Sequence, residues 1–327
     1  MEEVNLLRDI SLRRKEILQK VSDPNREYAE SYLKHINVSA YERVTISAKI
    51  QMLLQYLEYV ADHLNNKSIV DITVAEMEDY LLYLGNECHL EPPSVGKKMS
   101  DISTFYKFLI SKGVCTFNPI YYIPKPHKLK TEEHRHFLTD EQIATLKEKL
   151  EENGDRTLQV YAFFSLSTGA RVTAVSSIRW EQIDFEKRCV NHVKEKFSNY
   201  CTLHFSEYVK ELLLKLRAER EANRINDGGW VFYSTTTFYK DNAIEIRHVT
   251  SGTLGTWAHK VGAMCGVPGL KPHDFRYTCC NHLLQKGGDI AITSLILHHK
   301  NIATTLHHYC DKNDVEFMRQ YKDQFGI

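Results

Sequence analysis

The sequence predicts a mainly α protein: two helical units joined by a basic, proline-marked linker, the second unit carrying one small β-hairpin. Three observations carry that expectation. Apolar residues recur at three- and four-residue steps, as in Ile46, Ile50, Leu53, Leu54, Leu57 and Val60, which lays one stripe along a helix. Capping boxes open two helical stretches, Thr73 with Glu76 and Thr139 with Gln142. In each, the hydroxyl takes a first-turn N–H while the acid or amide reaches back to the cap. Period-two alternation is confined to Cys189–Val193 and Cys201–Phe205, two short strands around a polar connector.

Taken in order, residues 1–22 mix charge with Leu6, Leu7, Ile10 and Leu18 and form a helical extension that ends at the Asp23-Pro24 break. Residues 23–118 form the first helical unit. After the stripe just described, a second helix starts at Thr73 and carries Met77, Tyr80, Leu81 and Leu84. Pro92-Pro93 interrupts, and Ser94 caps a third helix with Ile102, Phe105, Tyr106 and Leu109. Residues 119–137 set Pro119, Pro124 and Pro126 beside Lys125, Lys128, Lys130 and Arg135, the make-up of a semi-extended linker. Residues 138–327 are again mostly helical.

Composition narrows the class. A chain of 327 residues favours two domains. With 43% apolar and 26% charged residues it is neither disordered nor fibrous. No apolar run approaches the ~18 residues of a membrane span, and Met1-Glu2-Glu3 does not open a signal peptide. The expectation is therefore a cytoplasmic protein. Lys plus Arg and Asp plus Glu each number 42, so any hold on nucleic acid must come from a basic face, not bulk charge. Eight cysteines make no CxxC pair and no zinc-finger spacing. Reduced thiols are expected, and no metal.

Four segments of the second unit bear chemistry. In Thr168-Gly169-Ala170-Arg171 the glycine permits a tight turn, which sets Arg171 at a helix start where its guanidinium suits an anion. The connector Lys194-Glu195-Lys196 carries two lysines, either able to reach a groove and protonate a leaving oxygen. In Pro272-His273-Asp274-Phe275-Arg276 the proline starts a helix, and a three-residue step brings His273 and Arg276 to one face. Such a pair suits an anionic centre that also needs proton transfer. Last, His298-His299 and His307-His308 bracket Thr304-Thr305, a step that can cap a short helix, before Tyr309.

In order, identity and spacing these segments resemble the tyrosine recombinases, the family of phage integrases, Xer proteins and integrases of conjugative elements. The pattern there is an Arg in a TGxR turn, a hairpin Lys, HxxR, a second His in an LGH-like motif and a Tyr about ten residues later. The resemblance implies Arg171, Lys196, His273, Arg276, His299 and Tyr309 as catalytic residues. It implies a helical, SAM-like core-binding domain over residues 23–118, ending in Asn118-Pro119, and a mixed, mostly helical catalytic domain over 138–327. It further implies strand cleavage and rejoining through a 3′-phosphotyrosine, duplex DNA as partner, four protomers on two sites, and no cofactor. Accessory DNA-bending proteins are compatible with it. Lys97, Lys98, Lys107, Lys125, Lys128, Lys130 and Lys194 are the candidate phosphate contacts. The alternatives are relaxation of DNA in the manner of a type IB topoisomerase, and a DNA-binding protein that keeps the fold without cleaving.

Three departures mark this chain. His298 stands where the family usually has Gly, so His298 competes with His299 for the site. Tyr309 follows His299 by ten residues, where nine is common. Ala174 occupies the place, three after Arg171, where an acid is common, so a supporting carboxylate must come from elsewhere.

Overall fold

The structure is a computed structural model that describes residues 12–39, 41, 43–126, 137–195, 199–238, 243–298, 301–303 and 305. The chain divides into two compact units, Met1–Glu133 and His134–Ile327. Among the described residues no helix is long and apolar enough to cross a membrane.

The first unit is built from α1 (Leu12–Lys20), α2 (Asp23–Val38), α3 (Arg43–His63), α4 (Val74–Asn86) and α5 (Pro92–Ser111). The Asp23-Pro24 break is the start of α2, where a proline costs no intrahelical hydrogen bond. The predicted stripe on α3 is buried at Ile50, Leu53, Leu54, Leu57 and Val60. It meets Met77, Tyr80 and Leu84 of α4 and Ile102, Phe105 and Tyr106 of α5 in one core. Thr73 and Glu76 close their capping box, the Thr73 N–H donating to Glu76 Oε2 at 2.8 Å. The third predicted helix begins earlier than Ser94: Glu91 is its cap, and Pro92 occupies the first turn. The two prolines open the helix because their missing N–H groups lie where no partner is needed. Asn118 is buried, donating to Ser103 Oγ at 3.0 Å and accepting from the Ile120 N–H at 3.1 Å. Pro119 and Ile120 are packed with it, so the first residues of the linker sequence belong to this unit's core.

The second unit begins with α6 (Asp140–Asn153), α7 (Arg156–Thr168) and α8 (Val172–Ser176). Thr139 and Gln142 form the predicted capping box of α6. A three-stranded antiparallel sheet follows, β1 (Ile183–Asp184), β2 (Cys189–Lys194) and β3 (Tyr200–His204). It contains the predicted hairpin, with Val193 opposite Cys201 and Lys194 opposite Tyr200. Next come α9 (Glu207–Ala222), β4 (Tyr233–Phe238), β5 (Ala243–His248), α10 (Ser251–Met264), α11 (Pro272–Gln285) and α12 (Ile290–Ile296).

The sequence reading holds one strand signal; β4 and β5 form a second, two-stranded sheet. Their serines, threonines and charged residues hide a period-two pattern that only Ile244 and Ile246 mark. At the centre lies α7, buried almost all round through Leu158, Val160, Tyr161, Ala162 and Phe164. Phe275 of α11 packs edge-on against Tyr161. This anchors the helix that carries His273 and Arg276 beside the turn that carries Arg171.

Candidate functional site

The site is assembled where α7 ends. Gly169 caps α7 in the left-handed conformation (φ +58°), which a residue with a Cβ reaches only at a cost. A Cβ there would also lie 2.6 Å from Leu297 Cδ2 and 3.1 Å from Cys279 Sγ, so both backbone and packing ask for glycine. The turn delivers Arg171 as the cap of α8, as the sequence predicts.

Arg276 approaches the same turn from α11. It is buried, at 1% exposure, and donates to the Gly169 carbonyl at 2.7 Å and to the Leu297 carbonyl. Two backbone acceptors satisfy a guanidinium that would otherwise be costly to bury. Pro272 opens α11, and the Lys271 N–H donates to Asp274 Oδ2 at 2.7 Å. Burial pushes the Cys279 thiol up to about 12, with Arg276 pulling the other way; this thiol packs and does not react. His273 sits on the first turn of α11, exposed, its ring edge-on to Tyr277 with centroids 4.7 Å apart. Three positions apart on one helix, His273 is thus exposed while Arg276 is enclosed.

Arg171 is held from a different direction. Its Nη1 donates to both oxygens of Glu195, at 2.8 and 2.7 Å. Glu195 directly follows β2, and its N–H donates to the Asn199 carbonyl at 2.8 Å, closing the hairpin end. Its side chain is 9% exposed against 31% for Arg171. His298 completes the cluster, its Nδ1 3.8 Å from Glu195 Oε1. Burial pushes the Glu195 carboxyl up, but the nearby His298 imidazole and the Arg171 guanidinium outweigh it and leave it below its ordinary value. His298 is raised to about 9, through the Cys201 thiol beside it and then through Glu195, against the pull of burial. The cluster at neutral pH is therefore two cations around one anion.

His298 adopts a left-handed backbone (φ +52°). Glycine would do so freely, whereas another L-residue pays roughly 1–2 kcal/mol. The unusual residue at this place is thus strained locally, and its imidazole meets Glu195 and Cys201. Glu195 and Cys201 were not singled out by sequence reasoning. The one signal in the sequence is an acid set between Lys194 and Lys196. Glu195, Cys201 and His298 also offer three ligand atoms within 4.8 Å of one another. Arg171 and the His298 proton already supply the positive charge there, and a cation would have to displace both.

The remaining candidates are more dispersed. Lys194 is exposed on β2. Lys97 pairs with Asp101 at 3.1 Å, half-buried Lys98 donates to Gln55, and burial lowers the Lys98 pKa. Lys107 lies over the Tyr121 ring at 5.8 Å, and Lys125 is exposed. Past the site, Ile302, Ala303 and Thr305 are helical, and Asn301 Oδ1 accepts from the Ala303 N–H at 2.8 Å. Asn301 thus supplies the cap that the sequence reading gives to Thr304-Thr305, because its side chain reaches back over the first turn. Lys128, Lys130, Lys196, His299 and Tyr309 lie outside the described residues.

Both arginines converge on consecutive residues: Arg276 on the Leu297 carbonyl, and Arg171, through Glu195, on His298. A model of the phage integrase family matches residues 136–316, which include all of these. The chain belongs to the phage integrase family. By that membership it is a tyrosine-type site-specific recombinase. Tyrosine recombinase XerC of Staphylococcus aureus strain MSSA476 is 25% identical over 287 residues, covering 84% of this chain and 89% of that protein. XerC of Staphylococcus saprophyticus is 26% identical over 252 residues, 72% of this chain and 77% of that one. Among solved structures, the Tn1549 transposon integrase in complex with transposon right end DNA is similar in fold. It has a TM-score of 0.67 at 17% identity and covers 92% of this chain and 99% of its own. A lambda integrase tetramer bound to a Holliday junction is similar at TM-score 0.62 and 17% identity, over 89% and 76%. The mainly α architecture with small sheets is thus an integrase fold.

Proposed function

We propose that this integrase-family protein cuts and rejoins duplex DNA through a 3′-phosphotyrosyl intermediate on Tyr309, serving integration or excision of a mobile element in the cytoplasm. The observation that carries the reading is that Arg276 donates to the Leu297 carbonyl while Arg171 holds Glu195, whose carboxylate faces His298 at 3.8 Å, immediately before His299. Two guanidiniums brought to one segment can share the non-bridging oxygens of a phosphodiester and hold the charge that grows there during displacement.

In this reading the Tyr309 oxygen attacks phosphorus and its proton passes to His273. The bond from phosphorus to the 5′ oxygen breaks, and Lys196 gives that oxygen a proton. His299 hydrogen-bonds the scissile phosphate. A free phenol titrates near pH ~10, so the cationic surroundings assist its ionisation. Rejoining reverses these steps with a new 5′ hydroxyl. The phosphotyrosyl ester conserves the energy of the broken bond, so the exchange balances without a nucleotide, and no cofactor is assigned.

The lysines from Lys97 to Lys130, with Lys194, would contact phosphates of the bound duplex and make affinity fall with salt. The transposon and lambda integrases held on DNA support a duplex partner, and the lambda tetramer supports four protomers on two sites. Accessory DNA-bending proteins remain compatible.

The test is covalent capture. A library of randomised duplexes, each nicked beside the scissile position, is incubated with the protein and resolved under denaturing conditions. A protein–DNA adduct mapped to Tyr309 and lost in Tyr309→Phe supports the reading; an adduct that survives that change overturns the nucleophile assignment. Loss on Lys194→Ala but not Lys196→Ala would move the acid to Lys194. Relaxation of supercoiled plasmid without paired sites would favour the topoisomerase-like alternative.

A further inference from the structure

The turn that carries Arg171 has no acid of its own to hold it. The residues that follow are Val172, Thr173 and a fully buried Ala174. The carboxylate on Arg171 comes instead from the hairpin, 24 positions along the chain. We propose that Glu195 and His298 form a positioning unit for Arg171, Glu195 gripping one guanidinium nitrogen from the inner side and His298 bracing Glu195. The inference rests on the reading of Arg171 as a phosphate-binding group.

Geometry separates positioning from obstruction. Both Glu195 oxygens converge on Nη1. Among the described residues, the second terminal nitrogen and Nε of Arg171 make no hydrogen bond, so three N–H donors are left for another acceptor. The carboxylate is also the more enclosed partner, at 9% against 31% exposure. A phosphate would meet the outer edge of Arg171 while Glu195 stays behind it. The bracing groups come from three places in the fold: Glu195 at the end of β2, Cys201 on β3 opposite Val193, and His298 just past α12. With Arg171 behind Glu195, these are the charged and titratable groups facing His298 among the described residues. The proton on His298 leaves the cluster with one net positive charge; its loss leaves none, and the phosphate then meets a neutral group.

A role of this kind acts on rate and pH profile, not on DNA affinity. Single-turnover adduct formation by Glu195→Gln, Glu195→Ala and Glu195→Asp is compared with that of the unsubstituted chain on the captured nicked duplex. Binding is followed by fluorescence anisotropy, and thermal unfolding checks the fold. The expected result is a loss of about 10- to 100-fold in rate for Glu195→Ala, with little change in affinity and partial recovery in Glu195→Asp. Faster cleavage by Glu195→Ala would overturn the proposal, because the carboxylate would then be competing with the phosphate. Independently of any activity, NMR titration of the His298 imidazole reads the cluster itself. In Glu195→Gln its midpoint is expected to fall, and an unmoved midpoint overturns the proposal whether or not Tyr309 forms an adduct. An absent adduct in the unsubstituted chain, with the His298 midpoint moving as expected, counts against the functional reading and for the cluster.

Discussion

The two sides of the site hold their arginines in opposite ways. On the α11 side Arg276 is enclosed, and its partners include the backbone carbonyls of Gly169 and Leu297. On the hairpin side Arg171 is partly exposed, and its partner is a side chain braced by a second titratable side chain. Backbone acceptors move only if the fold moves, so Arg276 belongs to the architecture as much as to the chemistry. Side-chain partners respond to pH and to hairpin position, so Arg171 is the adjustable member. In the proposed reading the two arginines thus combine a fixed reference with a tunable one.

Breaking the fixed side should cost most. Arg276→Ala leaves two buried carbonyls without donors and a cavity behind them, and should destabilise the chain by about 3–5 kcal/mol. Arg276→Lys should recover little, since one ammonium cannot fork to both carbonyls. Denaturant unfolding of both variants measures this. Gly169→Ala should follow at about 1–3 kcal/mol, combining the positive φ with the 2.6 Å approach to Leu297. A smaller loss would mean that Leu297 yields, and the two sides would be less distinct than described.

The hairpin side should show itself through pH. The folded-state pKa of His298 is raised from 6.5 to about 9, so its stabilisation is complete below about pH 6.5 and is lost as pH rises through 9. The half-exposed setting keeps the effect modest. Thermal unfolding between pH 6 and 10 should therefore fall more steeply in the unsubstituted chain than in His298→Asn, a residue that tolerates the same left-handed backbone. Identical slopes would remove His298 from the comparison. Cys201→Ala should have the smallest effect, within about 1 kcal/mol, yet it should draw the His298 titration downward.

Much of this was legible before any coordinates. The α3 stripe, the Thr73 and Thr139 boxes, the α6 start and the two strands of the hairpin all arise from local periodicity and short-range hydrogen bonding. Gly169 was readable as a turn because only glycine enters that conformation cheaply. The second sheet was not, because its run of threonines and charged residues blurs a period-two signal. Nor was the cap at Asn301, where two neighbouring threonines offered an equally good local alternative.

The sequence by itself determined which stretches are helical and the family whose order of Arg, His and Arg it carries. Those are properties of neighbours along the chain, where spacing and side-chain type suffice. Only the tertiary structure decided that Glu195, and not a residue beside Ala174, supplies the carboxylate of Arg171, and that His298 stands behind it. Positions 171, 195 and 298 are linked by no period or motif. Their partnership exists because α7, the hairpin and α12 end at one place, and charges buried there must find each other.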